Sequence, residues 1–309
     1  MSAGIGFIGL GIMGEGMAAR LITEGVCGQS ADKPLVVWNR TQSKAIAFAE
    51  KFKATGSNVI VKETAKEVIE ACEITFSMLS TPEASRAVFE HENGVLAGVS
   101  SGKKIVDCAT LAEEDMKRMN AAVLSKGGMF LEAPVSGSKG PALTGTLIFL
   151  CAGDKTLFEE TEVTMLKAMG KASHFFSEEV GYGTRAKLVV NSLMGTMMAA
   201  YAEGLALSDA VGLDQSKMIE VIGQGAIQSP MYALKGPKMA KHDHAPNFPL
   251  KHAHKDMKLA SDMAKNAGVE YSVMDSAEML LKEAREDPNL NLADEDFSAV
   301  YEKVLSKKA

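Results

Sequence analysis

The chain has no surplus of positive charge. Its 33 lysines and arginines face 39 aspartates and glutamates, giving a formal net charge of -6 and a pI near 5.6. A nucleic-acid binder normally carries a basic face or stripe, so that class of partner is not expected. Cysteine is scarce as well: Cys27, Cys72, Cys108 and Cys151 are far apart and form no C-x-x-C pair. A disulfide framework or a cysteine zinc site is therefore not expected, and a reducing compartment fits. Long unbroken apolar runs are also missing. The longest, residues 188–213, is interrupted by Asn191, Glu203, Ser208 and Asp209, which reads as a buried helix rather than a membrane span. No charged-then-apolar leader precedes the first strand signal at Ile5, so the expected location is cytoplasmic. Internal repeats and low-complexity tracts are absent too. What remains is an ordinary globular composition, 46% hydrophobic and 23% charged over 309 residues, enough for two domains.

The most informative stretch comes first. Ile5, Phe7 and Ile8 read as a short buried strand, and Met17, Leu21 and Ile22 recur at helical spacing over residues 15–24. Between them lies Gly9-Leu10-Gly11-Ile12-Met13-Gly14, the G-x-G-x-x-G spacing on a strand-to-helix turn. Gly9 suits the tight turn, Gly11 lets a pyrophosphate approach the backbone, and Gly14 lets the helix pack on the strand. The helix N-terminus favours the phosphate charge. A second strand follows at Leu35-Val36-Val37-Trp38, and it ends in Asn39-Arg40-Thr41. An Asp or Glu at this strand end would hold the adenosine ribose and repel a 2'-phosphate. Asn39 is neutral, Arg40 can pair with a phosphate and Thr41 can donate a hydroxyl, so the site is expected to prefer NADP over NAD.

Further along, helices are expected over residues 43–52, 64–71, 113–126 and 155–169. Strands are expected over 59–61, 74–79, 104–108, 129–133, 146–152 and 174–176. This alternation predicts a parallel sheet with right-handed crossovers. Ligands bind beyond the carboxyl ends of such strands, which nominates Gly11, Asn39, Leu79, Ser80, Thr110 and Ser136. From Gly181 the texture changes: a long pattern over 184–212 and helices over 216–223, 231–241, 250–267, 271–286 and 296–307 contain no strand signal. The expected class is α/β, a Rossmann dinucleotide-binding domain over residues 1–182 followed by an all-α domain over 183–309, with a long helix between them. The face of Leu193, Met194, Met197 and Met198 is expected in a core or a subunit interface.

Hydride delivery to a carbonyl needs a partner that protonates the developing alkoxide. Lys187 and Asn191 lie four residues apart at the start of the long helix, after Gly181-Tyr182-Gly183, which reads as a hinge between domains. The ammonium of Lys187 can donate the proton, and the amide of Asn191 can hold the lysine or the substrate oxygen.

These residues together resemble the β-hydroxyacid dehydrogenase family over essentially the whole chain. The cofactor motif matches residues 9–14, the substrate motif matches Ala133-Pro134-Val135-Ser136-Gly137, and the catalytic motif G-x-x-x-K-x-x-x-N matches Gly183, Lys187 and Asn191. A fourth motif, residues 248–260, resembles the segment that closes on the substrate. The resemblance implies Lys187 as general acid, with Asn191 as its substrate-binding neighbour. It implies Ser136 with the backbone donors of Gly137 and Ser138 for a substrate carboxylate, Phe248 as a pocket wall, and Thr110 at the nicotinamide end. Positions matching Lys255 and Asp256 contact cofactor or active site.

Within the family, residues 136–142 and 248–252 are most similar to the plant-type glyoxylate and succinic semialdehyde reductases. A homodimer or homotetramer is implied, with the helical domains forming the interface. Ala109 departs from the serine many members carry, and Arg185 stands where smaller residues are common, either favouring acidic substrates or facing solvent. The pairs His242-Asp243-His244 and His252-Ala253-His254 could suggest a metal, but their spacing spreads the rings over different faces, so solvated histidines and no metal are expected. The leading expectation is an NADPH-dependent reductase of short carboxylate-bearing aldehydes. An NAD-dependent 3-hydroxyisobutyrate dehydrogenase is its rival, and a catalytically silent dinucleotide-binding module is the non-enzymatic alternative.

Overall fold

The computed structural model describes residues 4–307 and divides into two compact units, Met1–Lys187 and Leu188–Ala309. The described residues of the first unit hold nine strands with helices between most of them. The strands are β1 (Gly4–Ile8), β2 (Leu35–Trp38), β3 (Val59–Val61), β4 (Cys72–Ser77), β5 (Lys104–Asp107), β6 (Met129–Glu132), β7 (Val135–Ser136), β8 (Leu147–Gly153) and β9 (Gly170–Ser177). The helices are α1 (Gly14–Thr23), α2 (Gln42–Lys53), α3 (Ala65–Ala71), α4 (Pro82–Glu90), α5 (Val95–Gly98), α6 (Glu113–Leu124), α7 (Lys139–Thr144), α8 (Lys155–Thr161) and α9 (Lys167–Met169).

The sheet order is β3-β2-β1-β4-β5-β6-β8-β7, with β9 paired to β8. Its first six strands are parallel and follow the doubly wound dinucleotide-binding order. Phe7, Phe76, Val106 and Leu131 belong to one of the two apolar cores that cover this sheet, and Ile8, Ile105 and Phe130 belong to the other. Strands buried on both faces explain the continuous apolar runs read from the sequence.

The expected parallel sheet holds from β3 through β6, while β8 pairs antiparallel with both β6 and β7. Only the short α7 lies between β7 and β8, too little chain for a parallel crossover. Three short helices, α4, α5 and α7, were not resolved by periodicity. The helix expected over 155–169 is broken by a π turn at Glu162–Leu166, and the strand expected to reach Leu79 ends at Ser77.

Apart from an isolated bridge between Pro249 and Asp296, the regular elements among the second unit's described residues are all helices. α10 (Tyr182–Ala210) starts in the first unit and continues into the second, followed by α11 (Gln215–Gln224), α12 (Pro230–Ala240), α13 (Leu250–Asn266), α14 (Ser272–Glu286) and α15 (Val300–Ser306). A 3-10 turn, Phe297–Ala299, opens the last segment. Met198, Tyr201, Leu205, Met257, Leu281 and Tyr301 form its core, with Met194 packed against it. Leu193 is half exposed, so the Met-rich face is only partly core. No helix among the described residues is long and apolar enough to cross a membrane.

Candidate active site

In the first unit the loop after β1 is shaped by contacts that leave no room for side chains. Gly9 has φ +96°, and a β-carbon there would lie 2.4 Å from the Met78 carbonyl oxygen. At Gly14 a β-carbon would lie 1.9 Å from the Gly9 oxygen, so α1 begins hard against the turn. Gly11 differs, because a β-carbon there would meet nothing within 4 Å. The protein's own packing does not require glycine at this exposed position, and the space above it is open for a ligand to meet the backbone. Ile12 is exposed beside it, and Met13 at the N-cap of α1 makes no side-chain capping bond. An uncapped helix start behind an open glycine fits a dinucleotide diphosphate.

Asn39 reaches this loop from the end of β2. Its Oδ1 accepts from the Leu10 N–H at 2.9 Å, and its Nδ2 donates to the Thr41 carbonyl at 2.9 Å. Its amide therefore braces the glycine loop, a use not foreseen from sequence. Arg40 and Thr41 are exposed, and Arg40 makes no ion pair among the described residues.

Leu79 and Ser80 follow β4, Leu79 half-buried and Ser80 exposed, and Thr110 follows β5 half-buried. Beneath them Ser77 Oγ donates to Asp107 Oδ2 at 2.5 Å, and the Ala109 N–H donates to Asp107 Oδ1 at 3.0 Å. Burial pushes the Asp107 carboxyl up to about 6, against these hydrogen bonds, and neighbouring Glu132 adds to the rise. A folded-state value above the unfolded one means a contribution to stability that is full below pH 3.8 and lost as pH rises through about 6. Asp107→Asn should therefore gain stability relative to the parent across that window, by about 3 kcal/mol. Thermal melts at several pH values check this, and a difference that does not change with pH would refute it.

Ser136 lies on β7 opposite Ile148. Gly137 has φ +130°, with Leu147 and Pro141 too close for a side chain, and Ser138 is the N-cap of α7 without a side-chain bond. The carboxylate of Glu132, at the end of β6, sits against the start of α10 and was missed in the sequence. Its one signal is a charge closing the apolar strand Met129-Phe130-Leu131.

The Gly181-Tyr182-Gly183 segment is not a loose hinge. It is pinned to Glu132, and α10 already begins at Tyr182. Arg185 keeps part of its side chain in solvent, but its guanidinium is engaged within the protein. It forms a two-bond pair with Glu113 at 2.7 and 2.6 Å and stacks on Tyr182 with its guanidinium carbon 4.6 Å from the ring centroid. Hydrogen bonding to Arg185 helps hold the Glu113 carboxyl down at about 2. Lys187 follows on the same helix, only 5% exposed.

In the second unit Asn191 is 3% exposed, and its Nδ2 donates to Asp256 Oδ2 at 2.6 Å. Lys255 Nζ lies 3.0 Å from Asp256 Oδ1. Asp256 therefore gathers two of the nominated side chains. Phe248 is held by its backbone, its N–H donating to Asp296 Oδ2 at 3.1 Å, while its ring meets Phe297 edge-on at 5.5 Å. Asp296 is fully buried and also takes both short bonds from Lys235 Nζ, each 2.7 Å.

The histidines correct their sequence reading. His244 and His254 are buried, not solvated. His242 and His244 both contact Glu302 Oε1, at 2.7 and 2.8 Å, and His254 contacts Glu278 at 2.7 Å. His254 joins α13 to α14, the other two tie the loop after α12 to α15, and no group of metal-ligating side chains occurs among the described residues.

Thus the nominated residues fall into two sets. Gly9, Leu10, Gly11, Ile12, Met13, Gly14, Asn39, Arg40, Thr41, Leu79, Ser80, Thr110, Ser136, Gly137, Ser138 and Lys187 belong to the first unit, and Asn191, Phe248, Lys255 and Asp256 to the second.

Residues 4–182 match the model described as the NAD binding domain of 6-phosphogluconate dehydrogenase. Residues 181–304 match the one described as NAD-binding of NADP-dependent 3-hydroxyisobutyrate dehydrogenase. The chain belongs to the β-hydroxyacid dehydrogenase family. Family members of this kind oxidise or reduce at a CH–OH carbon, and the chain is such an oxidoreductase, with a nicotinamide dinucleotide as its cofactor.

The chain is 44% identical over 305 residues to glyoxylate/succinic semialdehyde reductase 2, chloroplastic, of Arabidopsis thaliana, covering 99% of this chain and 80% of that protein. It is 42% identical over 300 residues to reductase 1 of the same plant, covering 97% and 98%. Among solved structures, 3-hydroxyisobutyrate dehydrogenase from Salmonella typhimurium shares the fold at TM-score 0.84 and 23% identity, covering 97% of this chain and 99% of that one.

Proposed function

We propose that this β-hydroxyacid dehydrogenase reduces short carboxylate-bearing aldehydes, glyoxylate and succinic semialdehyde among them, to hydroxy acids with NADPH, and that Lys187 is the general acid. The observation that carries the reading is a pair of buried polar side chains one turn apart on α10, Lys187 and Asn191. The relatives at 42–44% identity, which bear those two substrates in their names, support the substrate class.

NADPH, when bound, supplies a hydride to the carbonyl carbon. The ammonium of Lys187 gives its proton to the carbonyl oxygen as negative charge develops there. With its Nδ2 donating to Asp256, the Asn191 amide has its Oδ1 as the acceptor suited to the ammonium or a substrate hydroxyl. Ser136 and the N–H groups of Gly137 and Ser138 receive the substrate carboxylate, Phe248 is an apolar contact for the substrate, and Asp256 keeps Asn191 oriented. For the cofactor, residues 9–14 take the diphosphate and Arg40 and Thr41 the 2'-phosphate, with Asn39 bracing the loop. Leu79, Ser80, Thr110 and Lys255 are further cofactor contacts, with Thr110 at the nicotinamide end.

On this reading residues 1–182 are the cofactor domain and 183–309 the helical substrate and assembly domain. The deciding measurement is initial-rate NADPH oxidation with glyoxylate, succinic semialdehyde and methylmalonate semialdehyde, each repeated with NADH. Turnover confined to methylmalonate semialdehyde with NADH would move the chain to the 3-hydroxyisobutyrate branch, and silence throughout would favour a binding module.

A homodimer or homotetramer is proposed with it. α11 has no buried residue in the single chain, and Leu207, Val211, Leu213, Val221 and Ile227 are all exposed. A second copy covering them would complete that core. Light scattering at micromolar concentration should return a multiple of 32.8 kDa, and the monomer mass would defeat the assembly. The cytoplasm is the proposed location, and a fluorescent fusion concentrated in an organelle would overturn that placement.

A further inference from the structure

β6 runs Met129-Phe130-Leu131 and closes on Glu132, whose side chain has no exposed surface. A carboxylate in that position needs partners, and the four donors that hydrogen-bond to it are neutral groups rather than a cation. Oε1 accepts from the backbone N–H of Gly181 at 2.5 Å and of Gly183 at 2.9 Å. Oε2 accepts from the Thr184 N–H at 3.3 Å and from the Thr184 hydroxyl at 2.7 Å.

These donors lie at the start of α10. The first N–H groups of a helix have no partners within it, and here a side chain from a strand some fifty residues earlier satisfies them. Its negative charge also complements the positive end of the helix dipole.

The fit is close in backbone terms. A β-carbon at Gly183 would lie 2.3 Å from the Leu150 carbonyl oxygen, so the helix start abuts the sheet with nothing between them. Gly181, at φ +117°, delivers the chain into that contact. Lys187 follows Gly183 by four residues and Thr184 by three, on the same helical face and about 6 Å along the axis. The Arg185–Glu113 pair grips the same turn from α6, so the helix has a second hold if Glu132 is changed.

We propose that Glu132 is a positioning residue for the reduction: by holding the Gly181, Gly183 and Thr184 donors it fixes the start and rotation of α10, and so sets where the Lys187 ammonium meets the carbonyl oxygen. This rests on Lys187 as the general acid. Sub-ångström to ångström placement errors in a catalytic group are costly to rate without being costly to fold.

The test compares Glu132→Gln, Thr184→Val, Thr184→Ser and Lys187→Ala in the full chain, reading kcat, KM, NADPH binding by fluorescence, and Tm. Glu132→Gln keeps the size of the side chain but turns an amide donor toward the Thr184 donors. Its kcat should fall by about 10²-fold with KM for NADPH and NADPH binding unchanged. Thr184→Val, which removes one donor, should lose less kcat in the same way, and Thr184→Ser, which restores the hydroxyl, should recover most of the loss. Parent-like kcat in Glu132→Gln beside an inactive Lys187→Ala overturns the positioning role and leaves the acid assignment standing. Activity in Lys187→Ala overturns both. Should Glu132→Gln fail to fold, the Thr184 pair decides: equal kcat in the valine and serine variants overturns the proposal, and loss with rescue supports it.

Discussion

Replacing Lys187 with alanine is expected to lower kcat for aldehyde reduction by about 10²- to 10⁴-fold, the range for losing a positioned proton donor. NADPH affinity should stay as in the parent, since the glycine loop and the Asn39 brace stand elsewhere in the first unit. The expectation draws on placement. Lys187 is a long cationic side chain with 5% of its surface exposed, in the second turn of a helix whose first turn is bonded to a buried carboxylate. A lysine that merely decorated a helix surface would keep its ammonium in water. Lys187→Ala also shortens the side chain by several methylenes, so Lys187→Met is the better shape control, and both should be equally slow if the proton is what matters. Steady-state rates with saturating NADPH, together with a fluorescence titration of the cofactor, separate chemistry from binding. A variant that retains most of the parent kcat would sink the acid assignment.

The second large effect is expected at Arg40. Arg40→Ala should raise KM for NADPH by roughly 10- to 100-fold and leave KM for NADH nearly unchanged, because a charge-assisted bond to a phosphate contributes about 1.5–3 kcal/mol. The selectivity follows from what surrounds the residue. No acid of the kind that would hold a ribose 2'-hydroxyl stands at the end of β2, and Asn39, which occupies the place, has both ends of its amide engaged within the protein. Arg40 itself is exposed at the end of the same strand. Adding acid is the converse test: Asn39→Asp should weaken NADPH and also loosen the loop, since a carboxylate keeps the bond from Leu10 but loses the donor to the Thr41 carbonyl. Equal losses with both cofactors in Arg40→Ala would remove the phosphate argument.

Most of this arrangement was legible in the sequence where a single physical constraint writes a pattern. Strands covered on both faces must be apolar throughout, so β1, β2, β4 and β5 stood out, and the glycine spacing after β1 announced its turn. The long helices of the second unit were visible from their 3.6-residue period, as α13 and α14 show. What stayed hidden depends on partners far apart in the chain. The antiparallel pairing of β8 leaves no mark in composition, and α7 is too short for periodicity to register. Nothing local to Arg185 marks Glu113 as its partner, and nothing in the sequence marks Lys235 and Asp296 as a pair that meets in the core. Glu132 is the sharpest case, because its meaning lies in four donors about fifty positions away.

The same contact has a bearing on how the chain acquires its structure. Forming an isolated helix is limited by its first turn, where several residues must be fixed for one hydrogen bond. All nine strands lie before residue 178, so a chain emerging from its N-terminus can complete the sheet, with Glu132 already in place, before α10 exists. The costly nucleus of a 29-residue helix then assembles on a ready-made template of acceptor oxygens, and the remaining turns need only propagate from it.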